Sequence, residues 1–485
     1  MKKPKVIFLF GIHIGDESKG GITDYLTQKY RADTIVRYNG GPQASHHVIN
    51  KQGITHCFSH FGSGSFRKET TTFLSSYMLI KPSNILVEAD VLREKIPDYE
   101  PLDHIKIDKN CVIVTPMHKL IGRMKETARE IKHGSVGMGV GVAAYDSRHA
   151  SDEQILRLCD LIDTPKLQKK LQVIYDDSCI QARQIISQYP ENTELIAMLN
   201  QFEKECTATM LFESYCTLAS IFTQHENIVD DTYLSKYIDT SAVIVFEGAQ
   251  GLLLDYQYGF VPYVTKTNTR LTNANALLQA HKKNVDIQRI GIMRAYATRH
   301  GAGPLVTQDD ILAKKIPEFH NKANHWQGKY RIGWLDIPMT QYALSLVEDK
   351  LNSISVTNLD RFDTFATIKV CTSYEYCSSS LDLVDRFFYW ERVKNRIKII
   401  KYKPALLRTS EEQALLTQIL FDCKPWDFQV FPGWKQQTSD IKSYKDLPKN
   451  AKKYLDFIET SLQIPISIIS VGPRTDQKFE KKNAL

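Results

Sequence analysis

The stretch GDESKGG (15–21) sets two carboxylates, Asp16 and Glu17, beside Ser18, Lys19 and Gly20 in a glycine loop that leads into a helix-like segment. Glycines let backbone N–H groups approach phosphate oxygens, the following helix offers its positive end, and Lys19 supplies a point charge. The Walker spacing G-x-x-x-x-G-K-[ST] is absent. As a bare phosphate neighbour Asp16 would repel, so it suits a magnesium ligand, or a base acting on a substrate beside the phosphate. A helix N-cap cluster without chemistry is the alternative. In RYNGGPQASHH (37–47), His46 and His47 follow a Gly-Gly turn, as a general acid, phosphate contacts or plain surface. GSVGMGVG (134–141) has glycines too closely spaced for a helix or strand interior. FEGAQGLLLDYQYGFVPYVTKTNT (246–269) gathers Glu247, Gln250, Asp255 and Thr265 around a strand end and a turn. RAYATRHGAGP (294–304) and QGKYRIGWLD (327–336) follow. In SVTNLDRFD (355–363) an apolar run ends in T-N-L-D, where an Asp can accept from guanine N1–H and N2–H with an Asn in support. Strands also end in Asn-x-Asp for turn reasons alone.

The elements that must position these loops are short, β-branched and unalternating: VIFLF (6–10), TIVRY (34–38), AVIVF (242–246), IGIM (290–293) and SISV (353–356). Such runs predict strands buried on both faces, as in a parallel sheet. Between them ITDYLTQKY and MHKLIGRMKETAREIK read as helices. A region from 151 to 224 has helical periodicity and opens with Ser151 as a cap and Glu153 nearby, which predicts a helical insertion. With no repeat, low-complexity tract or Pro/Ser linker, the expectation is one α/β domain over 1–485 carrying that insertion.

Composition bounds the function. The 485 residues are 42% hydrophobic and 24% charged with net charge +7, which suits anionic small molecules. No block of like charge forms a basic arm for nucleic acid. The nine cysteines show no C-x-x-C, and Cys371 and Cys377 are too isolated for a zinc site. Scattered thiols predict reduced core residues and a cytoplasmic protein. VIFLFGI enters a polar glycine loop and is expected to be a first strand rather than a signal peptide. No apolar run approaches the roughly 20 residues of a membrane helix.

Taken in order, the loops resemble the adenylosuccinate synthetase family from about Val6 to Arg474. The family's GDEGKGK is spelled GDESKGG here, its GG-x-N-A-G-H-T is GGPQASHH, and its G-T-T-x-x-G-I-G-P is GSVGMGVGV. EGAQG-x-x-L-D…G-x-x-P-[YF]-V-T-S-S-N becomes EGAQGLLLDYQYGFVPYVTKTN, and K-A-Y-x-T-R-V-G-x-G-P becomes RAYATRHGAGP. GWLD is intact, T-K-L-D is TNLD, and FPGW with the closing ISVGPR segment follows the family pattern.

The resemblance implies a P-loop-like GTP-binding fold, with a mostly parallel central sheet and helices on both faces. It implies a GTP-dependent ligase joining aspartate to inosine monophosphate (IMP). Asp16 matches the catalytic base and magnesium ligand, Ser45 a magnesium ligand through its backbone oxygen, and His46 the catalytic acid. Gly15, Glu17, Ser18, Lys19, Gly20 and His47 match the GTP-phosphate side, while Asn358, Asp360, Ser470, Gly472 and Pro473 match the guanine side. Gln43, Ser135, Val136, Gln250, Leu254 and Thr265 match the monophosphate contacts, and Lys329 and Arg331 the amino-acid carboxylate contacts. A homodimer with small-molecule substrates, and neither nucleic acid nor membrane, is implied as well.

The departures are specific. Ser135 and Val136 stand for the two threonines of G-T-T, Gln43 for an Asn, and Ser45 for a Gly. ANHWQGKYRI (323–332) replaces the family's T-T-G-R-x-R-R loop, and lysine is no equivalent of arginine in bidentate carboxylate recognition. The family's partner-subunit arginine has Arg148 as a loose match. Two other readings stay open: a specialised relative acting on guanylate or deoxyguanylate, or with another amino acid, and a non-catalytic nucleotide sensor. Joint retention of Asp16, Lys19, His46, Gln250 and Asp360 argues against a decayed site.

Overall fold

Ten strands assemble into one sheet that takes in all five short runs: β1 (Lys5–Gly11), β2 (Thr34–Arg37), β3 (Thr71–Leu74), β4 (Ile105–Asp108), β5 (Ile228–Val229), β6 (Val243–Gly251), β7 (Asp286–Arg294), β8 (Ser353–Thr357), β9 (Ile466–Ser470) and β10 (Lys478–Glu480). The computed structural model describes residues 3–130, 136–238, 240, 242–279, 285–318, 328–378, 380–404 and 409–481; Ser135 and residues 323–327 of the altered loop lie outside these. The strand order is β10-β9-β8-β7-β1-β6-β2-β3-β4-β5. Every pair is parallel except the terminal β9/β10 pair, which is antiparallel.

The unalternating composition has a direct cause. Val6, Phe8 and Phe10 of β1 pack into one core with Val36 and Phe246, while Ile7 and Leu9 face the opposite way into another with Ile35, Val245 and Ile292. The second core also takes Ile22 and Leu26 from helix α1 (Lys19–Tyr30). Both faces are therefore apolar and covered. With β1 flanked by β6 and β7, the loops after β1, β2, β6, β7, β8 and β9 all leave by the carboxyl edge, the edge at which open α/β sheets bind ligands.

The insertion differs from expectation at its start. Residues 152–154 and 158–162 form short 3-10 turns, and the first α-helix runs from Thr164 to Gln188, followed by Thr193–Glu205 and Ala208–Gln224. Tertiary contacts override the local periodicity. The backbone of 156–159 bonds to the neighbouring 109–113 segment, with Ile113 N–H donating to Leu156 O at 2.8 Å and Leu158 N–H to Cys111 O at 3.0 Å. Pro165, lacking an N–H, favours a fresh start, and the Asp163 carboxylate caps it by accepting from Lys166 N at 3.1 Å. The helices of the insertion pack through Leu167, Leu171, Leu218 and Phe222 against Leu74, Ile105 and Ile107 of β3 and β4. Among the described residues no helix is long and apolar enough to cross a membrane, and all nine cysteines are free.

Candidate functional site

The loop after β1 is shaped by its own acidic pair. Gly15 (φ +87°), Asp16 (φ +59°) and Ser18 (φ +65°) are all left-handed, so the chain turns sharply before α1. Glu17 folds inward, is 1% exposed, and accepts from His13 N at 2.9 Å and Gly15 N at 3.0 Å. The Lys19 ammonium, also buried, lies 2.8 Å from the same carboxylate. Glu17 thus spends its charge on building the loop, whereas Asp16 stays exposed at the tip.

The ends of two neighbouring strands, and the residue after the second, hold that loop. Arg294, at the end of β7, donates from Nε to the Asp16 carbonyl. Thr357, at the end of β8, donates from Oγ1 to the Glu17 carbonyl at 3.0 Å. Ser18 Oγ donates to Asn358 Oδ1 at 3.0 Å. Four of the ten non-glycine residues with positive φ among the described residues (Asp16, Ser18, Gln250 and Asn358) belong to this assembly. Such outliers persist where surrounding structure over-determines them, as at ligand sites.

A buried acid–base pair stands beside it. His46 Nδ1 is 2.6 Å from Glu247 Oε1, and Ser63 bonds both Glu247 oxygens, through its hydroxyl and through its N–H at 3.0 Å. In the β2/β6 register Glu247 lies opposite Arg37. Burial alone would raise the Glu247 carboxyl, but Arg37, His46 and the Ser63 hydrogen bond outweigh it and hold it at about 2. For His46 burial lowers the imidazole and outweighs the opposing pull of Glu247, with Arg37 and Lys19 lowering it further. An ionised Glu247 on Nδ1 leaves Nε2 as the nitrogen free to work on a ligand. The two halves touch: a Cβ on Gly20 would fall 2.7 Å from His46 Cβ, so only glycine lets α1 come this close. His47, next along the strand His46–Ile49, alternates to the exposed side.

Gln250, Leu254 and Thr265 come together at the end of β6. Gln250 Nε2 donates to Thr265 Oγ1 at 3.0 Å, and Thr265 N–H donates to Leu254 O at 2.9 Å. Gly15 lies against this group, with Gln250 Cα and Leu254 Cδ1 each 3.8 Å from its would-be Cβ. Gln43 has its amide oxygen buried without a hydrogen-bond partner among the described residues. Val136 is half-buried next to Gly137, whose carbonyl accepts from Arg123 Nε at 3.0 Å. Ser45 is exposed, its hydroxyl 3.0 Å from that of Ser59. Asp255 holds the following turn by accepting from Gln257, Tyr258 and Thr269 backbone N–H groups.

Beyond β8 and β9 a second group forms. Asp360 is raised by burial, with Arg361 and Lys478 opposing and Asp363 adding to the shift. Ser470 Oγ donates to Gly472 O at 3.0 Å, and Lys478 Nζ donates to Pro473 O at 3.3 Å and Arg474 O at 2.8 Å. Lys478 is buried and lowered to about 8, burial being opposed by Asp24, Asp360 and Asp476.

The cations of the altered loop separate. Lys329 is exposed. Arg331 is committed to its own scaffold: Nε and Nη2 donate to Gly301 O at 3.0 and 2.6 Å, Nη2 also to Gly303 O at 2.7 Å, and Nη1 to Gln308 at 3.1 Å. It therefore shapes the glycine turn rather than offering an open fork. Arg148 lies over the Tyr256 ring at 4.8 Å and donates to Lys266 O at 2.9 Å.

The sequence reading sets Glu247 at a strand end without a role and leaves Arg37, Arg294 and Lys478 out of the site. A charged residue at the end of an apolar strand is the available signal for Glu247, Arg37 and Arg294, because an unpaired charge in a buried strand is expensive. For oxygen-seeking magnesium the residues present fit: Asp16 and Ser45 are both exposed, and a carboxylate and a backbone carbonyl are hard oxygen donors. No group of three His, Cys, Asp or Glu side chains that could hold a metal exists among the described residues.

Known proteins resemble the chain throughout its length. The adenylosuccinate synthetase family profile matches residues 8–479. The adenylosuccinate synthetase of Thermodesulfovibrio yellowstonii is 31% identical over 487 residues, covering 99% of each chain. Fully ligated adenylosuccinate synthetase from Plasmodium falciparum superposes with a TM-score of 0.77 at 23% identity, covering 99% of this chain and 100% of that one. The succinoaminodeoxyadenylate synthetase of cyanophage S-2L, bound to dGMP and dATP, superposes at 0.57 with 12% identity, covering 100% of this chain and 97% of its own. The two structures speak for the fold. A family profile that spans nearly every residue, with a relative aligned from end to end, establishes that this chain belongs to the adenylosuccinate synthetase family.

Proposed function

We propose that the protein joins L-aspartate to IMP at the expense of GTP, releasing adenylosuccinate, GDP and phosphate. The observation that carries this reading is the junction of the exposed Asp16, on a loop laced to β7 and β8, with the buried His46–Glu247 pair across Gly20. Asp16 takes the N1 proton of hypoxanthine. O6 then attacks the γ-phosphoryl group, the bond from that phosphorus to the β–γ bridging oxygen breaks, and GDP departs. His46, oriented through Nδ1 by Glu247, steadies charge on the transferred group with Nε2. The amine of aspartate next attacks C6, and the C6–O bond breaks to release phosphate.

Gln250, Thr265 and Gln43 hold the monophosphate substrate, Leu254 lines it, and the glycine turn with Val136 and Ser135 receives its phosphate through backbone amides. Gly15, Ser18, Lys19, Gly20 and His47, with the backbone of Glu17, face the donor phosphates. Asp360, aided by Asn358, reads guanine, and Ser470, Gly472 and Pro473 wrap the base. Lys329 is the open cation for an acceptor carboxylate, and Arg331 acts through the turn it holds. Magnesium, held by Asp16 and the Ser45 carbonyl, would neutralise charge on the phosphates. The protein works as a cytoplasmic homodimer; nine free thiols fit a reducing compartment, and sedimentation tests the dimer. Incubation with GTP, magnesium, IMP and aspartate should yield adenylosuccinate and one phosphate per GTP by mass spectrometry. Failure with aspartate alongside turnover with another amine would remove the product assignment and keep the ligase chemistry.

A further inference from the structure

His300 is the last residue of the strand Ala297–His300, paired antiparallel with Tyr330–Gly333 so that His300 faces Tyr330. It stands where the family motif quoted above carries valine. Its ring meets the Tyr330 ring edge-on at 5.6 Å, with the Gly328 backbone alongside. Nε2 is buried and has no hydrogen-bond partner among the described residues, so it is the ring nitrogen left to meet a ligand. In the tautomer protonated at Nδ1 it is a lone pair that accepts from an N–H donor. Burial holds the imidazole below its ordinary range, against the pull of Asp16, Gly328 and Glu318, and so favours the neutral ring.

The position of His300 gives the lone pair its meaning. On one side stands the Asp16 loop: Arg294, which donates to the Asp16 carbonyl, lies over the Tyr330 ring at 5.8 Å. On the other runs the turn carrying Lys329, whose carbonyl accepts from Gly301 N–H at 2.9 Å. Under the reading above, C6 of the purine lies near Asp16 and an acceptor carboxylate near Lys329. The amine that links them has to pass His300.

We propose that His300 is a further catalytic residue, whose Nε2 accepts a hydrogen bond from the acceptor's amine and takes its proton as the C6–N bond forms. The incoming ammonium gives one proton to Nε2, and its freed lone pair forms the C6–N bond. The C6–O bond breaks with its electron pair on phosphate, and the second amine proton leaves on that phosphate. This rests on the proposed displacement at C6.

Substitutions His300→Val and His300→Asn test it with three readouts. The first is positional isotope exchange in bridge-labelled GTP with IMP and magnesium but no amine, which reports activation alone. The second is kcat/KM for aspartate. The third is the rate with hydroxylamine, a nucleophile already neutral near pH 7. We expect exchange within about twofold of wild type, a loss of about 10- to 100-fold with aspartate, and a loss of under about threefold with hydroxylamine. Unchanged kinetics with aspartate would overturn the assignment, and so would equal losses in exchange and amination or with both amines. Absence of exchange in the wild-type protein would overturn the activation chemistry, and this assignment with it.

Discussion

Asp16 and Glu17 are adjacent carboxylates with opposite fates, and the difference is burial. Glu17 is enclosed with Lys19 and two backbone donors, while Asp16 faces solvent with its carbonyl held by Arg294. Asp16→Ala should therefore cut phosphate release by about 10²–10⁴ or more, the scale of a positioned base. Binding of a fluorescent GTP analogue should persist, and near-normal turnover would remove Asp16 from that role. Glu247→Gln keeps shape but removes the charge facing His46 Nδ1. We expect kcat to fall at least about tenfold, with Michaelis constants for GTP and IMP within about threefold, in steady-state assays. For Asp360, guanine offers donors where adenine offers an acceptor, so GTP should outperform ATP by roughly ten- to a hundredfold in affinity. Asp360→Asn should shift preference toward xanthosine triphosphate. Equal use of ATP and GTP by the wild-type protein would show that Asp360 reads no base.

At the scale of elements, the informative unit is the pair of strands Ala297–His300 and Tyr330–Gly333 with the glycine turn that Arg331 holds. Arg331 serves several carbonyls at once, which a point-like ammonium cannot reproduce. Arg331→Ala should raise the Michaelis constant for aspartate about ten- to a hundredfold and lower the melting temperature, with Arg331→Lys a poor rescue. Lys329→Ala should raise the same constant without moving the melting temperature, because Lys329 is exposed. Identical behaviour of the two alanine variants in calorimetry would contradict this division of labour.

For the whole molecule, buried carboxyls set a stability profile with two limbs. Asp336, wholly buried, caps the helix Ile337–Ser345 by accepting from Met339 N at 2.9 Å and is bonded by the Tyr374 hydroxyl. Burial raises its carboxyl from 3.8 to about 7, with the two hydrogen bonds opposing. A raised acid favours the fold most below its unfolded value, and that contribution is lost as pH rises through about 7. Glu247 and Glu88 shift the opposite way, from 4.5 to about 2: burial is outweighed by Arg37 and His46 for the first, and by His56 and His60 for the second. Their contribution is complete above 4.5 and lost as pH falls through about 2. Urea unfolding across pH should show Asp336→Asn flattening the decline between pH 4 and 8, and Glu88→Gln flattening the acid limb. Unaltered slopes in both variants would refute the linkage.

The sequence by itself determined what short-range chemistry decides. Unalternating β-branched runs demand strands covered on both faces, glycines permit left-handed turns, and the ordered loops carry the family resemblance. The α/β class, the mostly parallel sheet and the placement of Asp16, Gln250 and Asp360 at strand ends were legible on that basis. What only the tertiary structure decided depends on partners far apart in the chain. His46 meets Glu247 across 201 residues, and Arg294 reaches Asp16 across 278. Whether Arg331 is an open fork or a strut depends on where Gly301 and Gly303 lie, and no spacing encodes that. The helix expected from Ser151 is cut to one 3-10 turn, which Ser151 caps, for the same reason. Its backbone found partners in residues 109–113, and a chain satisfies its hydrogen bonds wherever folding brings them within reach.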